Sequence, residues 1–145
     1  DDLAAENPDM TFVTAALGVI DSETGEGSMA LAGHDAPYIL SAAGVRVAEG
    51  LAINPALGVM DGLSYSATGF TLAPGESLIL YTDGIPEAED AGHHFYGRTR
   101  FEAALMAHCA DEPAAVRAGV LNSLAGFTQG ALPADDVTLL VLRFG

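Results

Sequence analysis

The sequence predicts an α+β fold with largely antiparallel strands. Runs of Val, Ile, Leu, Phe and Thr, separated by turn-forming residues, recur from residue 11 to residue 82. Apolar residues at helical spacing are found only between residues 98 and 128, and one further apolar run closes the chain. Many strands, then two helices, then one strand indicate α+β, because a parallel fold would alternate strands with helices.

Turn signals divide the first half of the chain into strands. The acidic, glycine-containing segment 21–27 predicts a hairpin between the first two strands, and the compact turn 73–76 precedes the last of them. Residues 50–63, with Asn54-Pro55 and two glycines, are predicted to form a loop. The strands predicted before the helices are residues 11–20, 28–32, 38–40, 45–47, 64–72 and 78–82.

The second half of the chain contains a loop, two helices and a strand. Residues 85–97 are predicted to form an acidic, mobile loop. The helices are predicted at residues 98–109 and 112–128, and we expect their apolar positions to cover the sheet; a protein-binding surface is the alternative. The final strand, residues 137–142, is apolar enough to be buried.

Length and charge limit the classes of function. The 145 residues suit one domain, which we assign to residues 1–145, and they are enough to bury a core. Five basic and 20 acidic residues give a net charge of −15. This charge argues against nucleic-acid binding and against contact of this segment with an anionic membrane. It fits a protein that holds cations, although an acidic surface can also serve solubility alone.

Cysteine usage bears on the compartment. Cys109 is the only cysteine, so no internal disulfide can form, as is typical of a reducing compartment, and we predict a cytoplasmic location. Because Cys109 falls in a helical apolar pattern, we expect a buried, inert thiol. The chain has no apolar run long enough to cross a bilayer, and its first residues do not have the pattern of an export signal.

Acidic residues flank two of the predicted strands. Asp83 and Gly84 follow the strand 78–82, whereas Asp135 and Asp136 precede the strand 137–142. If these strands are antiparallel neighbours, the acids lie at one edge of the sheet, where a divalent cation such as Mg²⁺ or Mn²⁺ would relieve their repulsion. Gly84 lets another group come close, since it has no Cβ. The alternative is that Asp83 only caps a turn.

Seven segments of the chain carry a family resemblance. They are residues 11–14, 32–37, 55–59, 72–76, 80–88, 95–97 and 135–140. The Tyr-Thr-Asp-Gly and Asp-Asp-Val-Thr segments are specific in combination, and the matches span nearly the whole chain. In this order, the segments resemble the SpoIIE/RsbU branch of the bacterial PPM (type-2C) serine/threonine phosphatases.

The resemblance implies a β-sandwich flanked by helices, with a two-metal site of Mn²⁺ or Mg²⁺ at one edge that activates a water molecule, so that no protein nucleophile is needed. Asp83 matches a metal-ligand aspartate of the family, and Asp135 matches the ligand aspartate of its final motif. Asp136 is the neighbour of that ligand and a weaker candidate. Gly84 matches the glycine beside the metals.

Two family motifs are not found in this chain. The Gly-Asp-x-x-Asp motif and the Asp-x-x-Gly-His-Gly segment, which supply the metal-bridging aspartate, would lie upstream of Asp1. The sequence therefore resembles the C-terminal part of a phosphatase domain that lacks its N-terminal strands. We expect this segment to bind metal weakly and to have little or no phosphatase activity alone. The alternative is a non-catalytic, phosphatase-like module that binds a partner protein.

The resemblance also implies a partner. In this branch of the family the substrate is a phosphorylated protein, typically an anti-sigma-factor antagonist. Because a sheet without its first strands exposes an edge, we also predict self-association into a homo-oligomer. Of the histidines, we expect His34 to be hydrogen-bonded in a turn, and His93 and His94 to be exposed in the acidic loop.

Overall fold

The computed structural model describes residues 11–131 and 135–145. These residues divide into two compact units, the first containing residues 11–36 and 48–72, and the second residues 37–47, 73–131 and 135–145. The assignment of residues 1–145 to one domain stays a prediction. The strands of the described residues are β1 (Ala15–Ile20), β2 (Glu26–Ala32), β3 (Tyr38–Ser41), β4 (Gly44–Val47), β5 (Ile53–Asn54), β6 (Thr68–Thr71), β7 (Ser77–Tyr81) and β8 (Leu139–Arg143). The helices are α1 (Gly97–Ala107) and α2 (Pro113–Thr128).

The first unit contains a sheet arranged around β2. Strands β1 and β6 pair antiparallel with β2, and the short strand β5 pairs parallel with it. One face of β2 is apolar, and Met29 and Leu31 are buried on it. This alternation is what a strand with one covered face requires.

Three predictions in this unit need correction. The first strand begins at Ala15 instead of residue 11, with Val13 forming only an isolated bridge to Leu57. The predicted loop 50–63 contains β5, and the predicted strand 64–72 is extended only from Thr68.

A buried asparagine explains why β6 begins only at Thr68. The Asn54 side chain donates to the carbonyl oxygens of Leu31 (2.9 Å) and Ser66 (3.0 Å), and its Oδ1 accepts the Ser66 N–H (3.0 Å). The backbone at Ser66 is therefore paired with a side chain instead of a strand. Asn54 is only 8% exposed, so these bonds also satisfy a buried polar group.

The second unit contains an antiparallel sheet covered by the two helices. Its strand order is β4-β3-β7-β8. The core of this unit joins sheet residues such as Tyr38 and Tyr81 to helix residues such as Phe101 and Val120. The ring centroids of Phe101 and Tyr81 lie 4.8 Å apart in an edge-to-face arrangement, which is a favourable aromatic geometry.

The helices agree closely with the sequence pattern. Each buries three residues at helical spacing, whereas Met106 and Leu121, which are also apolar residues of these helices, are 45% and 39% exposed. The buried residues are Phe101, Ala104 and Leu105 in α1 and Val116, Val120 and Leu124 in α2. The prediction of a helical cover is confirmed, and so is the α+β class with mostly antiparallel pairing.

Candidate functional site

Strands β7 and β8 bring the acidic segments to one edge of the sheet. The two strands pair antiparallel, with Tyr81 opposite Leu139 at the end of the ladder. The residues that follow β7 and the residues that precede β8 therefore meet. This places the backbone of Asp83-Gly84 beside that of Asp135-Asp136, although Gly84 and Asp135 are 51 positions apart in the sequence.

Thr82 connects the two segments. Its backbone N–H donates to the Thr138 carbonyl oxygen (3.2 Å), and its Oγ1 accepts the Thr138 N–H (2.9 Å). The same hydroxyl donates to the carbonyl oxygen of Asp136 (2.7 Å). The sequence pattern does not reveal this role of Thr82, although the residue belongs to the Tyr-Thr-Asp-Gly segment.

Gly84 allows the two backbones to approach closely. A Cβ built on Gly84 would lie 2.5 Å from the carbonyl oxygen of Asp136 and 3.0 Å from its carbonyl carbon. Real Cβ atoms do not make contacts this short, so only glycine fits. The φ of Gly84 is not in the left-handed region, which means that the close approach, and not an unusual backbone conformation, requires the glycine.

A hydrogen-bonded turn follows the acid at the end of β7. The carbonyl oxygen of Thr82 accepts the N–H of Ile85 (3.1 Å), and that of Asp83 accepts the N–H of Glu87 (2.9 Å). Further along, the Tyr96 N–H donates to the Ala88 carbonyl oxygen (2.8 Å). Ile85, Ala88 and Tyr96 are buried. The loop predicted as mobile is thus packed and hydrogen-bonded close to the site.

The acidic side chains at this edge are exposed. Asp83, Asp135 and Asp136 are all exposed, so a cation in solution can reach them. The Oδ1 of Asp135 accepts the N–H of Asp136 (2.7 Å), which fixes the orientation of that carboxylate. Carboxylate oxygens are the ligands that Mg²⁺ and Mn²⁺ prefer.

The number of ligands is smaller than a complete site requires. Within residues 11–131 and 135–145, no group of three or more His, Cys, Asp or Glu side chains is arranged to hold a metal ion. The carboxylate oxygens at this edge have the donor chemistry that a divalent cation requires, but they supply only part of a ligand set. Metal ligation by Asp83, Gly84, Asp135 and Asp136 stays a prediction.

The histidines lie where the sequence predicted. The His34 ring Nδ1 is 2.9 Å from the Asp35 carbonyl oxygen, as expected for a histidine satisfied in a turn. The side chains of His93 and His94 are 87% and 75% exposed and contact Glu89 and Asp90. The backbone N–H of His94, followed by that of Gly92, lowers the pKa of Asp90, so this turn of the loop favours the ionised carboxylate.

In the part of the chain that the structure describes, neither helix combines the length and the apolar character needed to cross a bilayer.

Comparisons with known proteins agree with the fold. The chain matches the family described as Stage II sporulation protein E (SpoIIE) over residues 1–145. Protein IcfG from Synechocystis sp. is 32% identical over 143 residues, which are 98% of this chain and 22% of that protein.

Two solved structures share the fold. The SiaA-PP2C domain of Pseudomonas aeruginosa is 25% identical with a TM-score of 0.75, and the match covers 91% of this chain and 51% of that one. The Mn-presoaked phosphatase domain of the cell fate determinant SpoIIE from Bacillus subtilis is 18% identical with a TM-score of 0.70, covering 98% and 61%. This chain thus spans less than two thirds of each relative. With a family match over its full length and a PP2C-type fold, the chain belongs to the SpoIIE family of phosphatase domains.

Proposed function

We propose that this chain is part of a metal-dependent protein serine/threonine phosphatase that removes phosphate from phosphoserine on a partner protein. The observation that carries the proposal is the junction of β7 and β8, where Thr82 and Gly84 contact the backbone of Asp136. Family membership and the PP2C-type fold support the same activity.

In this proposal the acids at the junction hold the cation. We propose that Mn²⁺ or Mg²⁺ is bound by the Asp83 carboxylate and by Asp135 Oδ2, the oxygen that does not accept the Asp136 N–H. Asp136 is the weaker candidate for a ligand. A bound divalent cation lowers the pKa of its water molecule, so that a nucleophile forms near neutral pH. Gly84 keeps the two acid-bearing segments in contact, and the exposure of the edge leaves room for a phosphorylated side chain on a protein.

The partner is proposed from the family resemblance. We propose an anti-sigma-factor antagonist, phosphorylated on serine, as the substrate, and a cytoplasmic location for the reaction. A net charge of −15 makes a nucleic acid an unfavourable partner for this chain.

The experiment measures phosphate release from a phosphoserine peptide with Mn²⁺ and with EDTA. We expect phosphate release to depend on Mn²⁺. Asp83→Asn and Asp135→Asn are each expected to lower the rate of release by at least about tenfold. The 145-residue chain is compared with a longer chain that begins upstream, and we expect the shorter chain to be much slower.

A matched control is available at the other end of β8. Arg143, the last residue of β8, bonds the Asp111 carbonyl oxygen, so Asp111 lies near the opposite end of this strand. Asp111→Asn makes the same charge change and is expected to leave phosphate release unchanged. Phosphate release that is unchanged by EDTA and by both Asp83→Asn and Asp135→Asn would contradict the proposal.

A second candidate function is a non-catalytic module that binds a partner. The observation that favours it is that the described residues do not gather three metal-binding side chains. If the residues encoded immediately before Asp1 include Gly-Asp-x-x-Asp, the enzyme is favoured. If they do not, and the longer chain releases no phosphate with Mn²⁺, the binding module is favoured.

A further inference from the structure

The end of the β7–β8 ladder departs from regular antiparallel pairing. Directly opposed residues in a hydrogen-bonded pair exchange two backbone bonds. The Thr82 N–H donates to the Thr138 carbonyl oxygen (3.2 Å), but the return bond does not reach the Thr82 carbonyl oxygen. That oxygen accepts the Ile85 N–H (3.1 Å) instead, because the chain has begun to turn.

The Thr82 hydroxyl replaces the Thr82 carbonyl oxygen as a hydrogen-bond acceptor in the ladder. Its Oγ1 accepts the Thr138 N–H (2.9 Å) that the backbone carbonyl no longer serves. With its own proton the hydroxyl donates to the Asp136 carbonyl oxygen (2.7 Å). One side chain thus holds two backbone groups of the segment that carries the acids.

These bonds extend to the candidate ligand. The Asp136 N–H donates to Asp135 Oδ1 (2.7 Å), so Asp136 is fixed on both sides, by Thr82 at its carbonyl and by Asp135 at its amide. A shift of the Asp136 backbone would therefore turn the Asp135 carboxylate. Residues that orient metal ligands through such bonds strongly influence metal affinity.

We propose that Thr82 is a positioning residue for the candidate metal edge, holding Asp135-Asp136 against the Asp83-Gly84 turn. The inference rests on the proposed function for its consequence and on the hydrogen bonds for its geometry. It requires a residue that both accepts and donates at this point, which serine can do and valine cannot. Valine has nearly the shape of threonine, so packing is kept while both bonds are lost.

The first test measures the Mn²⁺ dissociation constant of the 145-residue chain by calorimetry. We expect Thr82→Val to weaken Mn²⁺ binding about 10- to 100-fold, and Thr82→Ser to stay close to the unsubstituted chain. The control is Thr128→Val in α2, whose hydroxyl donates only within its own helix, to Ala125 (3.4 Å). Unchanged binding in Thr82→Val, or equal losses in the valine and serine variants, would overturn the inference.

The second test needs no metal and no activity. Amide hydrogen exchange at Thr138 reports directly on the bond to the Thr82 hydroxyl. We expect this amide to exchange at least about tenfold faster in Thr82→Val and to stay protected in Thr82→Ser. If Thr82→Val does not fold, Thr82→Ser decides alone, since loss of Thr138 protection in a folded serine variant would overturn the inference.

The two tests separate this inference from the proposed function. A chain that binds no Mn²⁺ and whose longer form releases no phosphate would contradict the proposed function. The exchange of the Thr138 amide still decides whether the Thr82 hydroxyl holds the segment. Unchanged exchange in Thr82→Val would overturn the positioning role even in an active phosphatase.

Discussion

Gly84 is a position in the candidate site where a single added carbon atom, a Cβ, would clash with the backbone of Asp136. A Cβ there would lie 2.5 Å from the Asp136 carbonyl oxygen, and both partners are backbone, so one segment would have to move. We expect Gly84→Ala to lower the free energy of unfolding by about 1–3 kcal/mol, the usual effect of overpacking, in a urea titration.

Gly126 provides the control for this substitution. It lies within α2, and a Cβ there would meet nothing within 4 Å. Because alanine is favoured over glycine in helices, we expect Gly126→Ala to raise stability by about 0.5–1 kcal/mol. If the two alanine variants were equally stable, the close contact at Gly84 would not exist in solution.

Tyr38 makes the stability of the chain sensitive to alkaline pH. Burial, followed by the hydrogen bond to Glu102 (2.8 Å) and the charge of that carboxylate, raises the pKa of Tyr38 to about 12. The folded state thus holds the phenol proton more tightly than the unfolded chain, whose tyrosine pKa is about 10. The stabilisation is complete below pH 10 and is lost as the pH rises towards 12.

Thermal unfolding between pH 9 and pH 12 measures this contribution. We expect the melting temperature to fall more steeply above about pH 10 in the unsubstituted chain than in Tyr38→Phe, which has no proton to lose at this position. Tyr65→Phe, at a tyrosine that is 37% exposed, is the control and should keep the steep fall. Parallel curves for all three proteins would contradict the assignment.

Single residues also show where sequence reasoning stops. The position of Asp83-Gly84 follows from the apolar run before it, because a buried strand must end where an acid and a glycine begin. The role of Thr82 does not follow, since threonine is common in strands for reasons of packing alone. Its hydroxyl bonds residues 54 and 56 positions away, and that proximity depends on the β7–β8 pairing.

At the scale of elements, Arg143 ties the end of β8 to the turn between the helices. Its guanidinium donates to Ser77 Oγ (3.2 Å), to Glu112 Oε1 (3.3 Å) and to the Asp111 carbonyl oxygen. The Glu112 side chain is 84% exposed, so that ion pair contributes little. Ser77 is fully buried, and its hydroxyl depends on the arginine more strongly.

Removing this connection is expected to destabilise the second unit. We expect Arg143→Met, which keeps much of the apolar stem, to lower the free energy of unfolding by about 1–3 kcal/mol in a urea titration, because acceptors are left unsatisfied. The control is Arg117→Met, since Arg117 is an exposed residue of α2. Equal stability of the two variants would show that the Arg143 hydrogen bonds have no net effect.

Elements differ in how well the sequence predicts them. The helices and the strands β7 and β8 follow from strong apolar patterns, and their observed bounds differ from the predicted ones by a few residues at most. Strand β5 has only two residues, too few for any period, and it forms because β2 is beside it. The shortened β6 depends on the Asn54 side chain, whose partners the sequence does not reveal.

At the scale of the whole molecule, the exposed apolar side chains of β1 lead us to expect self-association. Leu17 and Val19 on β1 are 74% and 70% exposed, and among the described residues β1 pairs only with β2. An edge strand with large exposed apolar residues can pair with another chain. We expect sedimentation velocity to show a concentration-dependent shift from monomer to larger species.

Charge on the exposed face of β1 should prevent this association. We expect Leu17→Lys to give a monomer at concentrations where the unsubstituted chain associates. Phe95→Lys, which places the same charge at a residue that is 57% exposed in the second unit, is expected to associate as before. A clean monomer for the unsubstituted chain at all concentrations would contradict the prediction.

Family membership could be predicted for the whole chain because its motifs are spread along nearly the full sequence. The substrate could not be predicted in this way. The described part of the chain contributes only some of the metal ligands, and its relatives extend well beyond the matched region. The convergence of two acidic segments was predicted from strand pairing, and the β7–β8 ladder supplies the pairing that this prediction required. Cation binding by those acids is the step that a measurement must decide.

A double-mutant cycle on Mn²⁺ affinity, using Asp83→Asn, Asp135→Asn and the double variant, tests most directly whether the acids at the ends of β7 and β8 bind one cation. If they do, each single substitution weakens Mn²⁺ binding. The double variant then loses less binding free energy than the two single variants lose together, and the coupling energy is about 0.5–3 kcal/mol. Strictly additive losses, or Mn²⁺ binding unchanged in either single variant, would contradict a shared site.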